Sequence, residues 1–495
     1  MGILPEVKKH YGKLKLWIGG EWIDSKSTEV QVTTNPAMGE PIAEFPSATR
    51  EEARAAVEAA QKGFLAWREV ALRERGKLMF DLRRKFEERF DVLCRVLTQD
   101  HGRTIGESRG SVRRVIENVE SACSAVYGMP KMNEHIDQLA GGIDEYMIYE
   151  PKGVFLIVTP GNIPMHAWSS FVPYALASGC SVVVSPSRQD PVAAEYICRV
   201  TEDLGLPDGA INLIHGGRSI NEYILRQPEV RGLGFIGSTA VARKLFKLCG
   251  ELGKDSSLNG NGKNCVVIMP DADIDQTVQF LLRGCFGMSG QRCLGSDNVV
   301  AVGDSYYELR EKLTSAASGM KLGYGLDESV ELGPMCTPAG RDKVIDWIDL
   351  ALNDGCTMLY DGRNPRVEGY PKGYFLGPSV LDNAQPGMPS TKEEAFGPVT
   401  ALMRFGDLDQ VIRWHNESNN DLGHSACIMT RSGKSARKFI KEMETGNVGV
   451  NVAVPQPYAF FPLGSKKQSF LGSAKSRLAS MRLFLDEKTV TARWV

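Results

Sequence analysis

A cysteine with small neighbours is the first place in this 495-residue chain where chemistry could occur. Cys293 follows Gly290, Gln291 and Arg292, and the run at residues 286–290 contains two glycines and a serine. A thiol nucleophile needs close approach by its target and nearby amides that stabilise an oxyanion, and small neighbours permit both. The chain has 11 cysteines, however, and a free cysteine is more often a packed, inert thiol. This motif alone leaves both interpretations open.

An asparagine after a strand-like run is the second candidate. Residues 153–158 read Gly-Val-Phe-Leu-Ile-Val, and Thr159, Pro160, Gly161 and Asn162 follow them directly. A turn at the carboxyl end of this strand would aim the Asn162 amide into a crevice, where it could stabilise a tetrahedral oxyanion. The alternative is an Asx turn, in which the side chain bonds its own backbone.

A glycine between a strand and a helix is the third candidate. Residues 234–239 read Gly-Phe-Ile-Gly-Ser-Thr, so Gly237 and Ser238 stand where a pyrophosphate could meet the amides of a helix start. The run lacks the G-x-G-x-x-G spacing, and an ordinary turn between strand and helix remains the alternative.

Alternating elements must position these residues. Short apolar runs alternate with helical stretches over residues 153–250, and this rhythm predicts a parallel sheet covered by helices, which binds nucleotides at the carboxyl ends of its strands. Helices with a capping-box start are predicted over residues 49–99, and a second α/β region over 264–451. Strand-like pieces at 133–149 and 473–495 lie outside both rhythms and are typical of segments that pair with another subunit.

The composition limits the partners of the protein. The 42% hydrophobic and 24% charged fractions are those of a globular protein, and 58 Lys and Arg against 60 Asp and Glu offer no general attraction for nucleic acid or acidic membranes. The scattered cysteines show no metal-ligand spacing, so we expect no metal site and free thiols. Without a signal-like or membrane-length apolar run, we expect a cytoplasmic protein.

Taken together, the three motifs resemble those of the aldehyde dehydrogenase superfamily, over about residues 17–491. Further matching runs are Leu332-Gly333-Pro334, Gly373-Tyr374-Phe375, Glu394-Ala395-Phe396-Gly397-Pro398 and Gly446-Asn447-Val448-Gly449-Val450-Asn451. The resemblance implies an α/β fold with a Rossmann-type parallel-sheet cofactor domain (1–130 and 151–260), a second α/β catalytic domain (261–465) and a small oligomerisation arm (131–150 and 466–495). It also implies a homo-oligomer, either a dimer or a tetramer.

The resemblance assigns roles to individual residues. Cys293 would attack the aldehyde and later carry a thioester, and the Asn162 side chain would form the oxyanion hole with the Cys293 amide. Ser238 would hold the pyrophosphate of a nicotinamide cofactor, Glu394 its nicotinamide ribose, and Phe396 would flank the nicotinamide. The complete set of implied cofactor contacts is Thr159, Pro160, Ser185, Arg188, Gly237, Ser238, Glu394 and Phe396.

One position differs from the hydrolysing members of the superfamily. They usually read Glu-Leu-Gly-Gly-Lys where this chain reads Asn259-Gly260-Asn261-Gly262-Lys263, so their general-base Glu aligns with Asn259. An amide cannot accept a proton from water at neutral pH, so we expect slow hydrolysis of the thioester and transfer of the acyl group to coenzyme A. The chain is most similar to the CoA-acylating methylmalonate-semialdehyde dehydrogenase branch, through runs such as Gly262-Lys263-Asn264. A hydrolysing enzyme with another base and a catalytically idle binding relative are the alternatives.

Arginines hold the substrate carboxylate in that branch, by pairing a guanidinium with two oxygens. Arg114 matches one such position, and Arg283, shortly before the cysteine, is a weaker candidate. Either arginine could instead form a surface or interdomain ion pair.

Three departures from the family pattern concern specificity. Ser185-Pro186-Ser187-Arg188 stands where relatives commonly read Lys-Pro-Ser-Glu, and because an Arg attracts a 2′-phosphate, NADP becomes an alternative to NAD. Gly161 replaces a bulky aromatic residue before Asn162. The tail at residues 473–482 also diverges, so the small aldehyde that is oxidised can differ from methylmalonate semialdehyde.

Overall fold

The computed structural model describes residues 2–128, 133–418 and 421–494. The predicted boundary between the cofactor domain and the arm, at residues 130 and 131, lies outside the described residues. Within the described ranges, no helix combines the length and the apolar character needed to cross a bilayer.

The first domain is built on an eight-stranded sheet whose five central strands are parallel. Its strands, in spatial order, are Glu21–Ile23, Leu16–Ile18, Ile211–Leu213, Ser181–Pro186, Val154–Thr159, Val230–Ile236, Asp255–Asn259 and Phe470–Gly472. The middle strands are buried over most of their length, as expected for a parallel sheet with helices on both faces. The α/β fold predicted from the alternation at 153–250 is confirmed.

The helices of this domain cover the sheet. They are Arg50–Trp67, Leu72–Glu88, Phe90–His101, Ile105–Gly128, Pro164–Ser169, Val172–Ser178, Pro191–Arg199, Arg218–Leu225 and Thr239–Leu252. The predicted capping box is present, since the Thr49 hydroxyl accepts from the Glu52 amide at 3.2 Å and the Glu52 carboxylate accepts from the Thr49 amide at 2.8 Å. These bonds satisfy helix-end donors and fix where the first helix begins.

The second domain is built on a seven-stranded sheet that is parallel except at one edge. Its strands, in spatial order, are Thr357–Tyr360, Ser379–Asp382, Val399–Phe405, Asn298–Val302, Cys265–Ile268, Ser425–Met429 and Asn447–Val450. Its helices are Ile274–Leu281, Ser305–Ser318, Pro338–Asn353, Pro389–Lys392, Leu408–Ser418 and Gly433–Glu442. A π-helical turn, Leu282–Phe286, and a 3₁₀ turn, Gly287–Gly290, lead from the first of these helices to Cys293.

A three-stranded antiparallel sheet stands apart from the two domains. Leu485–Arg493 pairs with Ile143–Pro151, which pairs with His135–Ala140. Two short antiparallel pairs complete the strands, namely Val30–Asn35 with Glu40–Pro46, and Leu422–Gly423 with Lys466–Lys467.

The C-terminal segment assigned to the arm, residues 466–495, is divided in the structure. Phe470–Gly472 joins the edge of the first sheet, and the turns Arg477–Ser480 and Met481–Phe484 pack on the first domain. Leu483 and Phe484 are completely buried in the core of that domain. Apolar side chains of this size stabilise the core rather than an exposed arm, so only the last strand reaches the arm sheet.

Candidate active site

Asn162 and Cys293, which are 131 positions apart in the sequence, line one cavity of about 290 Å³. Side chains from both domains and from the C-terminal tail contribute to its walls. The charged lining residues are Arg103, Glu107, Arg114, Arg292 and Arg477. The cavity therefore places a thiol, an amide and an excess of positive charge around one small space.

The loop before Cys293 is sharply turned and packs against the second domain. Met288 and Ser289 have positive φ angles of 56° and 53°, and Gly290 has a φ of 68°. A Cβ atom at Gly290 would lie 1.8 Å from the carbonyl oxygen of Gly397, so only glycine fits there. This close approach joins the cysteine loop to the loop that carries Glu394.

Asn264 holds the cysteine loop from the other side. Its Nδ2 atom donates to the carbonyl oxygens of Cys293 and Gly295, both at 2.8 Å, and its Oδ1 atom accepts from the Ser425 amide at 3.0 Å. Sequence reasoning used Asn264 only as part of a matching run and assigned it no role. Its position shows that it orients the nucleophile.

Asn162 lies where the turn after strand Val154–Thr159 predicts. The side chain is buried, and its Nδ2 atom donates to the carbonyl oxygen of Gln291 at 2.9 Å. Its own carbonyl oxygen accepts from Arg103. An amide nitrogen carries two hydrogens, so the second one remains for an oxyanion formed beside Cys293.

Cys293 is the cysteine with access to the cavity. It is partly exposed, whereas the other ten cysteines are buried. Burial raises the pKa of its thiol to about 11, and Glu394 adds to the increase while Arg292 and Arg477 oppose it. The resting thiol is therefore protonated at neutral pH and must lose its proton before it attacks.

Asn259 ends the strand Asp255–Asn259 and has only 1% of its surface exposed. Neither polar atom of its amide has a hydrogen-bond partner among the described residues. Buried amides are normally partnered by protein or by water, so this side chain is an exception among the described residues. A carboxylate at this position would be a base, but an amide is not.

Ser238 caps the helix Thr239–Leu252, where its hydroxyl accepts from the Val241 amide at 3.4 Å. Ser238 is exposed, so the positive end of this helix is open to an anion. Gly237 precedes it and donates its amide to the carbonyl oxygen of Asn259 at 3.0 Å. This bond connects the end of the strand Asp255–Asn259 to the turn that begins the helix Thr239–Leu252.

Glu394 is linked to the same helix start through Asn261. The Thr239 amide donates to Asn261 at 2.7 Å, and the Asn261 side chain donates to the Glu394 carboxylate. Burial and then Asp297 raise the pKa of Glu394 to about 8. Phe396, two residues later, has a positive φ of 55°, which costs energy in a non-glycine residue and is typical of functional sites.

The predicted adenosine end contains Ser185 and Arg188. The Ser185 hydroxyl is fully buried at its strand end and has no partner among the described residues. The guanidinium of Arg188 lies over Gly217, where a Cβ atom would be 2.4 Å from Nη2, and it is 4.0 Å from Glu29. Half of the Arg188 side chain is exposed, so it can reach a ligand.

Thr159 and Pro160 form the start of the turn that leads to Asn162, and Thr159 is buried at the end of its strand. Gly161 has a packing reason to lack a side chain. A Cβ atom there would lie 2.1 Å from the Gln189 side-chain oxygen, so Gln189 fills the space beside this backbone position.

The two predicted carboxylate-binding arginines differ in the structure. Arg114 lines the cavity, is paired with Glu117 and lies 4.8 Å from the centre of the Tyr458 ring. Arg283 is exposed on the π-helical turn and does not line the cavity, because that turn directs position 283 away from Cys293. The prediction for Arg283 is therefore wrong. Arg477, which sequence reasoning missed, lines the cavity instead.

A buried group of potential metal ligands also escaped the sequence analysis. His101, Asp190 and Cys336 have ligand atoms within 4.8 Å of one another, although they are distant in the sequence. The Cys336 thiol donates to Asp190 at 3.3 Å. Burial raises the pKa of Asp190 to about 7 and the neighbouring Arg103 opposes the increase, so a positive charge already faces this carboxylate. We assign no metal to the group.

Comparison with known proteins finds relatives along almost the whole chain. The family model described as "Aldehyde dehydrogenase family" matches residues 22–490. Malonate-semialdehyde dehydrogenase 1 of Geobacillus thermodenitrificans is 36% identical to the chain, over 97% of this chain and 99% of the relative.

Two solved structures are also similar. Methylmalonate-semialdehyde dehydrogenase from Oceanimonas doudoroffii superposes with a TM-score of 0.95 at 33% identity, over 98% of this chain and 99% of that one. An aldehyde dehydrogenase from Bacillus cereus, solved as its NAD+ complex, has a TM-score of 0.93 at 25% identity, with both chains fully covered. Because the family match and these relatives span almost the whole sequence, this chain belongs to the aldehyde dehydrogenase family.

Proposed function

We propose that this protein oxidises a small aldehyde with NAD or NADP and passes the acyl group from Cys293 to coenzyme A. The observation that carries the proposal is Asn259, a buried amide at the position where hydrolysing relatives have a general base. Such a base contributes about 10²–10⁴ to a rate, so its absence leaves the thioester long-lived enough for an external thiol.

Two other carboxylates near the cavity are poor replacements for the missing base. Glu107 accepts from the amides of Thr104 and Met288, so each of its oxygens is engaged. Burial raises the pKa of Glu394 to about 8, so this group is mostly protonated at neutral pH and cannot readily accept a proton from water. Its carboxylate also accepts from Asn261.

The residues divide the chemistry as follows. The Cys293 sulfur adds to the aldehyde carbon, and the new oxyanion accepts hydrogen bonds from the Asn162 amide and the Cys293 backbone amide. An oxidised nicotinamide cofactor, when bound, would supply the acceptor for the hydride of this carbon. The resulting thioester remains on Cys293 until the thiol of coenzyme A attacks it, forms the acyl-CoA and returns the Cys293 thiol.

The proposed cofactor site fits a dinucleotide. The exposed helix start at Ser238 suits a pyrophosphate, Glu394 suits a ribose, and the unpartnered Ser185 hydroxyl can bond the adenosine portion. The remaining proposed contacts with the cofactor are Thr159, Pro160, Gly237 and Phe396. NAD is the cofactor in the similar Bacillus cereus structure, and Arg188 adds the possibility of NADP through its positive charge.

Relatives named malonate- and methylmalonate-semialdehyde dehydrogenase favour a substrate that carries a carboxylate. Arg114 is the proposed contact, since it lines the cavity beside Asn162 and Cys293. The protein is proposed to work in the cytoplasm, because all eleven cysteines are free thiols.

A homo-oligomer, a dimer or a tetramer, is proposed for the assembly. The outer strand His135–Ala140 is exposed throughout, with Ile136 and Leu139 more than half exposed. An exposed strand edge with apolar side chains is a surface that pairs with another chain. Sedimentation analysis would test this, and a monomer at micromolar concentration would contradict it.

Pre-steady-state kinetics with excess aldehyde test the acyl transfer. Without coenzyme A, we expect a burst of reduced nicotinamide equal to the number of sites, followed by a slow phase limited by deacylation. Adding coenzyme A should increase the rate of the slow phase and leave the amplitude of the burst unchanged. A steady rate without a burst, unaffected by coenzyme A, would contradict the proposal.

A further inference from the structure

Arg477 is a buried charge in the wall of the cavity that contains Cys293. Only 1% of its surface is exposed, and it belongs to the part of the C-terminal tail that diverges from the pattern of the resembling branch. Its surroundings show what it can bind.

The backbone at Arg477 adopts an unfavourable conformation. Its φ angle is +64°, in the left-handed region, where a side chain costs energy and glycine is preferred. The amide of Arg477 donates to the carbonyl oxygen of Ser170 at 3.0 Å, and this bond holds the turn against the first domain. The strain therefore serves to direct this guanidinium into the cavity wall.

The guanidinium has only neutral partners. Its Nη1 atom donates to the carbonyl oxygen of Pro457 at 2.6 Å, and its Nη2 atom lies 3.4 Å from Nε2 of His166. Burial and Arg477 itself lower the pKa of His166 well below its usual value, so that ring is neutral. The Nε atom of Arg477 has no partner among the described residues.

Two other arginines that line the cavity have acidic neighbours. Arg114 pairs with Glu117, and Arg103 lies beside Asp190. No carboxylate among the described residues is within ion-pair distance of Arg477. A buried charge without a counter-charge is strongly destabilising, and burial accordingly lowers the pKa of Arg477 to about 10. An anion in the cavity would remove this cost.

We propose that Arg477, beside Arg114, receives an oxyanion group on the aldehyde substrate and determines the preference of this enzyme for negatively charged aldehydes. The inference rests on the proposed function and adds to it a recognition residue that the tail of this chain supplies. The ligand chemistry is a short aldehyde with a carboxylate, a sulfonate or a phosphonate at its far end, because a guanidinium bonds any of these oxygen pairs.

A matched series of aldehydes tests the proposal. Propanal, 3-oxopropanoate, sulfoacetaldehyde and phosphonoacetaldehyde share the two-carbon aldehyde portion and differ in the end group. We expect wild-type kcat/KM to be higher for at least one charged aldehyde than for propanal. Arg477→Gln should lower kcat/KM for that aldehyde by about 10–100-fold, chiefly through KM, and should change propanal oxidation by less than about threefold.

Two further variants separate recognition from folding. Arg477→Lys keeps the positive charge but loses the paired N–H donors of the guanidinium. It should therefore retain part of the kcat/KM that Arg477→Gln loses. Arg283→Gln, on the exposed π-helical turn, should leave all four substrates unchanged. Equal losses for propanal and the charged aldehydes in Arg477→Gln would show that Arg477 only supports the tail, and would overturn the proposal.

Inhibition of the wild-type enzyme gives a test that needs no variant. Propanoate, ethanesulfonate and ethylphosphonate should compete with propanal, at constant ionic strength, more strongly than 1-propanol does. The strongest inhibitor identifies the preferred oxyanion. Inhibition no stronger than that by 1-propanol would overturn the proposal. Formation of propanoyl-CoA from propanal tests the proposed function separately, since propanal carries no charge for Arg477.

Discussion

Two walls of the same cavity differ in how their polar groups are satisfied. On the nucleophile wall, Asn264 bonds two carbonyl oxygens of the cysteine loop and Asn162 bonds the carbonyl oxygen of Gln291. On a second wall, Arg477 combines a left-handed backbone with a buried charge that lacks a carboxylate partner among the described residues. Hydrogen bonds therefore hold the first wall in position for chemistry, whereas the second wall contains a buried positive charge that a bound anion would stabilise.

Removing the nucleophile should have the largest effect. Cys293→Ala should abolish reduction of the nicotinamide, because the other ten cysteines are buried and cannot replace it. Steady-state absorbance of reduced nicotinamide measures this loss. The control variant Cys356→Ala removes a buried thiol far from Cys293 and should retain activity. Wild-type rates in Cys293→Ala would show that Cys293 is not the nucleophile.

Removing the oxyanion donor should have the next largest effect. Asn162→Ala should lower kcat by about 10²–10³, the size expected for one donor in an oxyanion hole. Stopped-flow measurement of the burst would locate the loss in the step before the thioester. If kcat changed by less than about threefold, Asn162 would only shape its turn.

The pKa of about 11 at Cys293 predicts how its reactivity depends on pH. Only the thiolate reacts with iodoacetamide, so the alkylation rate of the cofactor-free protein should rise about tenfold per pH unit, or about a hundredfold from pH 8 to pH 10. Mass spectrometry of the labelled peptide identifies the site. A rate that is already constant above pH 8 would show that the thiol ionises more readily than its burial indicates.

The smallest effect is expected at the adenosine end. Arg188→Glu should weaken NADP more than NAD by about 10–100-fold, because it replaces a charge-assisted bond to a 2′-phosphate. Fluorescence titration with each cofactor measures the difference. The control Arg84→Glu, on the outer face of helix Leu72–Glu88, should change neither affinity. Equal losses for both cofactors would mean that Arg188 does not distinguish them.

The sequence predicted the nucleophile wall better than the wall that contains Arg477. Cys293 and Asn162 stand in local motifs at the ends of regular elements, and the structure brings them into one cavity. The alternation of apolar runs also predicted the parallel sheets. These features depend on local spacing, which a sequence displays directly.

The remaining features depend on packing between distant segments. The pattern predicts a strand-like tail over residues 473–495, but Arg477 reaches the cavity because Leu483 and Phe484 anchor its segment in the first core. Arg283 is close to Cys293 in sequence, yet the π-helical turn directs it outward. Asn264 could not be recognised as a support for the nucleophile, because its partners become neighbours only after folding.

The identity of the product shows most directly whether the acyl group on Cys293 is transferred to coenzyme A or to water. Wild-type protein is incubated with NAD, propanal and coenzyme A, or without coenzyme A, and the products are identified by mass spectrometry. We predict propanoyl-CoA at the full rate with coenzyme A, and only slow formation of free acid without it, because Asn259 cannot activate water. Free acid formed at the full rate without coenzyme A would contradict this prediction.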